Sequence, residues 1–112
     1  MGSEYSYVFT EKAESDLTEV VRYIKEDLSN PAAASSLFRK VFESISALRA
    51  FPLSGMLVEN DLLSAKSVRR VVVDNYVLYL YYLPDESEHT VVVLRFVYAK
   101  RNLEDVYREL LA

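Results

Sequence analysis

Between Ala13 and Leu48 the apolar residues fall at helical spacing in two runs that are broken only once. The first stripe is Ala13, Leu17, Val20, Val21, Ile24 and Leu28; the second is Leu37, Phe38, Val41, Phe42, Ile45 and Leu48. Three or four apolar positions per two turns give a helix one oily face that must be buried against something. The break between them is Ser29-Asn30-Pro31. Asn accepts hydrogen bonds from the orphan N–H groups of a helix start, and proline suits the first helical position, where no N–H is needed. Thr10 can cap the first helix in the same way, with Glu11 and Glu14 in its first turn, where the helix dipole favours negative charge. The second helix stops at Phe51-Pro52. Two helices joined by so short a turn pack antiparallel. A helical hairpin therefore constrains everything else in the chain.

The composition changes after residue 66. Ser67–Val73, Tyr76–Leu83 and Thr90–Tyr98 are rich in Val, Tyr, Leu and Phe, and turn residues separate them at Asp74-Asn75 and Pro84-Asp85-Glu86-Ser87-Glu88. They predict an antiparallel meander. Tyr5–Phe9 reads as a further short strand, residues 52–66 as a loop with a helical turn near Leu62, and Asn102–Leu111 as a closing helix with Leu103, Val106, Tyr107 and Leu110 on one face. The expected fold class is α+β: an antiparallel β-sheet with an N-terminal helical hairpin packed on it, in the order β-α-α-β-β-β-α. Helices gathered on one face of the sheet are the economical arrangement. At 112 residues the whole of 1–112 is expected to be a single domain.

Composition narrows the chemistry. There are no cysteines, which removes disulfides and thiolate metal sites, and one histidine, His89, which makes a histidine-based metal site or a Ser/His relay improbable. With two glycines there is no Gly-rich phosphate loop. No cofactor or metal is expected. Neither a signal sequence nor an apolar run of membrane-spanning length is evident, so a soluble cytoplasmic protein without membrane contact is expected. Net charge is −4, but its distribution is uneven. Residues 1–65 hold six Lys/Arg against ten Asp/Glu, and residues 66–112 hold seven of each. Any basic site must be local and must lie in the second half.

The candidates there are Arg69, Arg70, Arg95, Tyr98, Lys100, Arg101 and Tyr107. Arg69 and Arg70 point to opposite faces of one strand, so at most one serves a given site. Arg95, between Leu94 and Phe96, either pairs with a carboxylate at the sheet margin or reaches a groove. Lys100 and Arg101 form either a solvated basic turn or an anion site. Tyr107 is either a packed aromatic with its hydroxyl at the edge or a reactive phenol.

The chain resembles the RelE/ParE toxins of bacterial type II toxin–antitoxin systems. The likeness rests on Phe9-Thr10 followed by a helix holding Arg22-Tyr23-Ile24, on Leu48-Arg49-Ala50-Phe51-Pro52, on Val68–Tyr79 and on Val93–Asn102. It implies a cognate antitoxin that wraps the toxin and masks its site. RelE-like members cut mRNA in the ribosomal A site; ParE-like members block DNA gyrase without cleaving anything themselves. The first reaction needs a base for the 2′-hydroxyl, cations for the phosphate and an acid for the leaving oxygen. Ala99-Lys100-Arg101 with Tyr107 six residues on echoes the RelE pattern. The resemblance implies that Arg101 stabilises phosphate and Tyr107 accepts the proton, with Arg69 and Tyr98 beside them and Lys100, Arg70 and Arg95 holding substrate. A free tyrosine pKa is about 10, so nearby cations would be required. Where RelE-like enzymes carry an arginine after the strand tyrosine, this chain has Val77. The leading expectation is a metal-independent, ribosome-dependent mRNA endoribonuclease. The alternatives are a gyrase inhibitor that acts by binding, and a degenerate toxin acting mainly with its antitoxin.

Overall fold

A computed structural model describes residues 6–85 and 88–111. The elements run β1 (Ser6–Phe9), α1 (Glu11–Arg22), α2 (Pro31–Ala50), β2 (Met56–Leu57), α3 (Asp61–Ala65), β3 (Arg69–Val73), β4 (Tyr76–Asp85), β5 (Glu88–Tyr98) and α4 (Leu103–Leu111). Tyr5 and the Glu86-Ser87 tip of the expected turn lie outside the described residues.

The expected caps form. Thr10 Oγ1 accepts from the Ala13 N–H at 3.1 Å, and Asn30 Oδ1 accepts from the Ala33 N–H at 3.1 Å with Pro31 opening α2. The first helix departs from its expected course near its end. Tyr23–Asp27 form a π-helical turn, in which the Leu28 N–H bonds to the Tyr23 carbonyl five residues back. A wider turn rotates the following side chains off the original stripe. Leu28, expected on the buried face, is 55% exposed. Ser29 then takes a left-handed φ of 49° to turn the chain into α2.

The sheet order is β1-β5-β4-β3-β2. The meander β3-β4-β5 is antiparallel, as expected, with Val73 opposite Tyr76 across the Asp74-Asn75 turn. Three features were not expected. β1 joins β5 in parallel, Ser6 opposite Thr90 through Phe9 opposite Val93. Met56 and Leu57, within the segment read as a loop, pair with Arg70 and Arg69 as a two-residue edge strand. The helices also divide between the two faces rather than sharing one.

The hairpin covers the first face. Ala13 and Leu17 of α1 and Leu37, Val41, Ile45 and Leu48 of α2 pack with Val73, Leu78, Leu80, Val91, Val93 and Phe96. On the second face, Leu63 of α3 and Val106 of α4 pack with Val58, Val68, Val77, Tyr79 and Val97. The reason lies in the central strands. Val77-Leu78-Tyr79-Leu80 is apolar at every position, so side chains pointing both ways need cover. α3 ends with left-handed Ser67 (φ 60°), which lets the Val68 N–H reach back to the Leu63 carbonyl at 3.0 Å.

Candidate functional site

β5 is longer than its neighbour β1, and the mismatch creates the first feature of interest. β1 pairs only as far as Val93, whereas β5 runs on to Tyr98. Past Val93 the ladder is completed by side chains. Thr10 donates its hydroxyl to the Leu94 carbonyl at 3.1 Å, and Asp16 Oδ2 accepts from the Phe96 N–H at 3.0 Å. Leu94 is the extra residue of a β-bulge, since Tyr79 pairs Arg95 while Leu80 pairs Val93. A bulge re-aims the side chains next to it. Arg95, 6% exposed, is gripped by Asp16 of α1 through Nε at 2.6 Å and Nη2 at 3.1 Å, and its Nη1 donates to Glu109 of α4. Glu109 also accepts from Arg101 Nη2. A chain of charges, Asp16–Arg95–Glu109–Arg101, therefore ties α1, β5 and α4 together at this corner. Two cations meet two anions, and no net positive charge is left over.

The remaining candidates do not gather around Arg101. Tyr107 leaves the flank of α4 opposite Glu109, about 160° away around the helix by its turn of 100° per residue. Its ring packs edge-on against Tyr79 at 6.4 Å. Burial pushes the Tyr79 pKa upward and the neighbouring Tyr107 adds to this, against a smaller lowering influence from Arg70. Tyr98 lies with Tyr76 and Phe96, its ring edge-on to Tyr76 at 5.7 Å, on the hairpin side of the sheet. Tyr76 likewise has its pKa raised, first by burial and then by Tyr98 and Tyr23.

Arg69 and Arg70 do take opposite faces: Arg69 pairs Leu80 of the first core and Arg70 pairs Tyr79 of the second. Arg69 is used locally. Its Nη1 donates to the backbone carbonyls of Gly55 at 2.6 Å and Leu53 at 3.2 Å, so it clasps the segment leading into β2. Lys100 is exposed in the turn before α4. The structure thus brings together Arg95 and Arg101 through a shared carboxylate. It separates them from Tyr107, Tyr98 and Arg69. Among the described residues no group of His, Asp and Glu side chains could hold a metal ion, and no helix is long and apolar enough to cross a membrane.

A second feature was missed by sequence reasoning. An open groove of about 780 Å³ lies between β1, α1 and α2, lined by Tyr7, Val8 and Phe9, by Leu17 and Val21, and by Phe38 and Phe42. Phe38, expected in the packed stripe of α2, is 48% exposed, its ring tilted against that of Phe42 with centroids 4.8 Å apart. Tyr7 and Val8 are also more than two-fifths exposed. A signal was present: two phenylalanines four apart on α2, beside a stripe already complete without them.

Comparison with known proteins agrees with this architecture. The family described as ParE toxin of type II toxin–antitoxin system, parDE, matches residues 7–103. Among solved structures, a chain from the chromosomal ParDE toxin–antitoxin system of P. aeruginosa superposes with a TM-score of 0.67 at 17% identity, covering 88% of this chain and 100% of that one. A chain of the toxin–antitoxin complex RelBE2 from Mycobacterium tuberculosis gives 0.57 at 22% identity, covering 85% and 98%. No protein of curated function matches in sequence.

Proposed function

The chain belongs to the ParE toxin family of type II toxin–antitoxin systems, and we propose that it arrests growth by binding DNA gyrase, not by cutting RNA. The observation that carries this reading is the state of Arg101. RNA cleavage would need a free cation at the phosphate with a phenolic base beside it. Here Arg101 is neutralised by Glu109, and Tyr107 stands on the other flank of α4 against Tyr79. Tyr98 lies on the hairpin side of the sheet beside Tyr76, and Arg69 is held by the Gly55 carbonyl. The overall charge of −4 also suits a protein target better than a polyanion. A toxin that works by occupancy needs a shaped surface and a partner to mask it, and requires no acid–base set.

The test is purified protein added to gyrase, ATP and plasmid DNA, in parallel with a translating extract probed for mRNA ends. Loss of supercoiling with accumulation of cleaved DNA, and unchanged message ends, is the expected pair of results. New message ends with normal supercoiling would replace this reading with the nuclease one. On the same reading, a cognate antitoxin covers exposed apolar surface of the toxin, and co-expression of the neighbouring reading frame should restore growth.

A further inference from the structure

The face of the sheet away from the hairpin is covered unevenly. α3 and α4 close over Val77, Tyr79 and Val97 of the central strands, while the outer strands on that side stay open. The register shows which side chains line the opening. Met56 of β2 stands opposite Arg70 of β3, Arg70 stands opposite Tyr79 of β4, and Val72 stands opposite Val77. Residues paired across a ladder share a face, as do residues two apart along one strand. Tyr79 and Val77 belong to the second core, so Met56, Arg70 and Val72 all point to that side. Met56 and Val72 are largely exposed, and Arg70 between them is partly buried. The clasp of Arg69 on the Leu53 and Gly55 carbonyls holds the segment that leads into β2, so Met56 is presented from a fixed margin. Among the described residues Arg70 has no carboxylate partner, whereas Arg95 and Arg101 share Glu109. A guanidinium partly withdrawn from water, with no anion beside it, is a burden that no internal contact relieves.

From this we infer that the strip Met56–Arg70–Val72 is the surface that seats DNA gyrase, and that gyrase meets it with a carboxylate set among apolar residues. The inference rests on the gyrase reading and names the contact which that reading needs. Charge complementarity decides the occupant. A guanidinium fork takes both oxygens of a carboxylate, and the apolar side chains flanking it exclude water from the pair. Arginine and methionine are among the residue types enriched where proteins meet. A nucleic acid backbone asks for several cations in a row. The ladder neighbours of Arg70 are Met56 and Tyr79, and Arg69 points to the other face. A second copy of this chain is disfavoured by symmetry: a two-fold contact centred on the strip sets Arg70 toward Arg70, two like charges with no anion between them.

The probes are the full-length toxin, purified gyrase with ATP, and plasmid DNA. Half-inhibition of supercoiling and binding to gyrase by surface plasmon resonance are read for each variant, with melting of the free toxin as the check on folding. Arg70→Met keeps the length of the side chain and removes its charge. It should weaken both readouts roughly thirtyfold, as truncating one side of a desolvated charge pair does. Arg70→Glu should weaken them by at least about a hundredfold, because like charges then face each other. Arg70→Lys should fall between wild type and Arg70→Met, since an ammonium keeps the charge without the fork. Val72→Asp, at a largely exposed position, should also weaken both. Lys12→Glu makes the same change in net charge on the exposed side of α1 and should alter neither. Inhibition that is equal for wild type, Arg70→Met and Val72→Asp, all folded, overturns the strip and leaves the gyrase reading standing. So does an equal loss in Lys12→Glu and Arg70→Glu, which would be bulk charge. Wild-type toxin that sediments as a dimer and is split by Val72→Asp makes the occupant a second copy. Arg70 variants that lose affinity for plasmid DNA alone make it a phosphate backbone. Either result overturns the inference. If wild-type toxin leaves supercoiling intact, the inference falls together with the gyrase reading.

Discussion

The two faces of the sheet are built on different plans. On the first, α1 and α2 are adjacent in sequence, joined by a short turn, and together bury a continuous set from Ala13 to Leu48 against the strands. On the second, α3 is five residues long and α4 nine, and they meet from opposite ends of the meander. They leave Val72 61% exposed on the same side. The first face is a scaffold that can organise locally; the second is a cover assembled late from short pieces. The ion chain Asp16–Arg95–Glu109–Arg101 is what ties the two together, passing around the sheet margin where β1 stops.

The tie should be the most sensitive point. Arg95→Ala leaves Asp16, 14% exposed at its side chain, without its cation. Breaking a buried pair from one side costs about 3–5 kcal/mol, to be read from urea unfolding. Asp16→Asn should cost less, since an amide oxygen still accepts from the Phe96 N–H and Glu109 still faces Arg95. Equal losses would mean that the charge itself matters more than the ladder it completes.

Core truncations on the two faces should then behave differently in kind. Val106→Ala should cost about 2 kcal/mol, at roughly 0.8 kcal/mol per buried methyl-sized group plus a cavity term. Hydrogen exchange should quicken in α4 while the hairpin amides keep their protection. Ile45→Ala, about 2–5 kcal/mol, should instead lower protection throughout. A uniform response to both would show that the faces are a single cooperative unit and dissolve the contrast.

Alkaline pH offers a gentler probe of each face, because Tyr76 belongs to the first and Tyr79 to the second. Both phenols have raised pKa values, chiefly from burial. The folded state thus holds those protons more tightly than the unfolded state does. Stability is intact below about pH 10, the ordinary tyrosine value, and is lost as pH climbs from there through the raised folded values. Tyr79→Phe should flatten this decline in α4 exchange, and Tyr76→Phe should flatten it in the hairpin. The smallest effects are expected at the left-handed serines. Ser29→Gly in the hairpin and Ser67→Gly after α3 remove a φ that costs side-chain-bearing residues about 1–2 kcal/mol. Each should raise stability by roughly 0.5–1 kcal/mol after the extra freedom of glycine in the unfolded chain is counted. A larger gain in local α3 protection than in global stability would fit the second face being the looser one.

What the amino-acid order disclosed was local. The caps at Thr10 and Asn30, Pro31 as the start of α2, and the turn at Asp74-Asn75 all follow from how one residue treats its near neighbours. Periodicity likewise sufficed for the hairpin and for three of the strands. Pairing between distant segments was not legible in the same way. Nothing within Ser6–Phe9 states that it lies parallel to Ser6's partner Thr90, and a two-residue strand at Met56 is too short to show alternation. The second face could have been anticipated, because Tyr79 and Val77 alternate with Leu78 and Leu80 and leave no polar side. At the candidate site, residue types were visible but their engagements were not. Arg101 looks available in sequence, and only folding brings Glu109 eight residues onward back against it.

The parallel seating of β1 sets an order of events during synthesis. Thr10 and the carbonyl it bonds at Leu94 are 84 residues apart. The hairpin can form as soon as it emerges, since its contacts are near in sequence. The strand before it has no partner until β5 has been made, which is almost at the end of the described chain. Until then the groove that β1 lines together with α1 and α2 has no floor. That groove therefore cannot exist in finished form until β5 has been made.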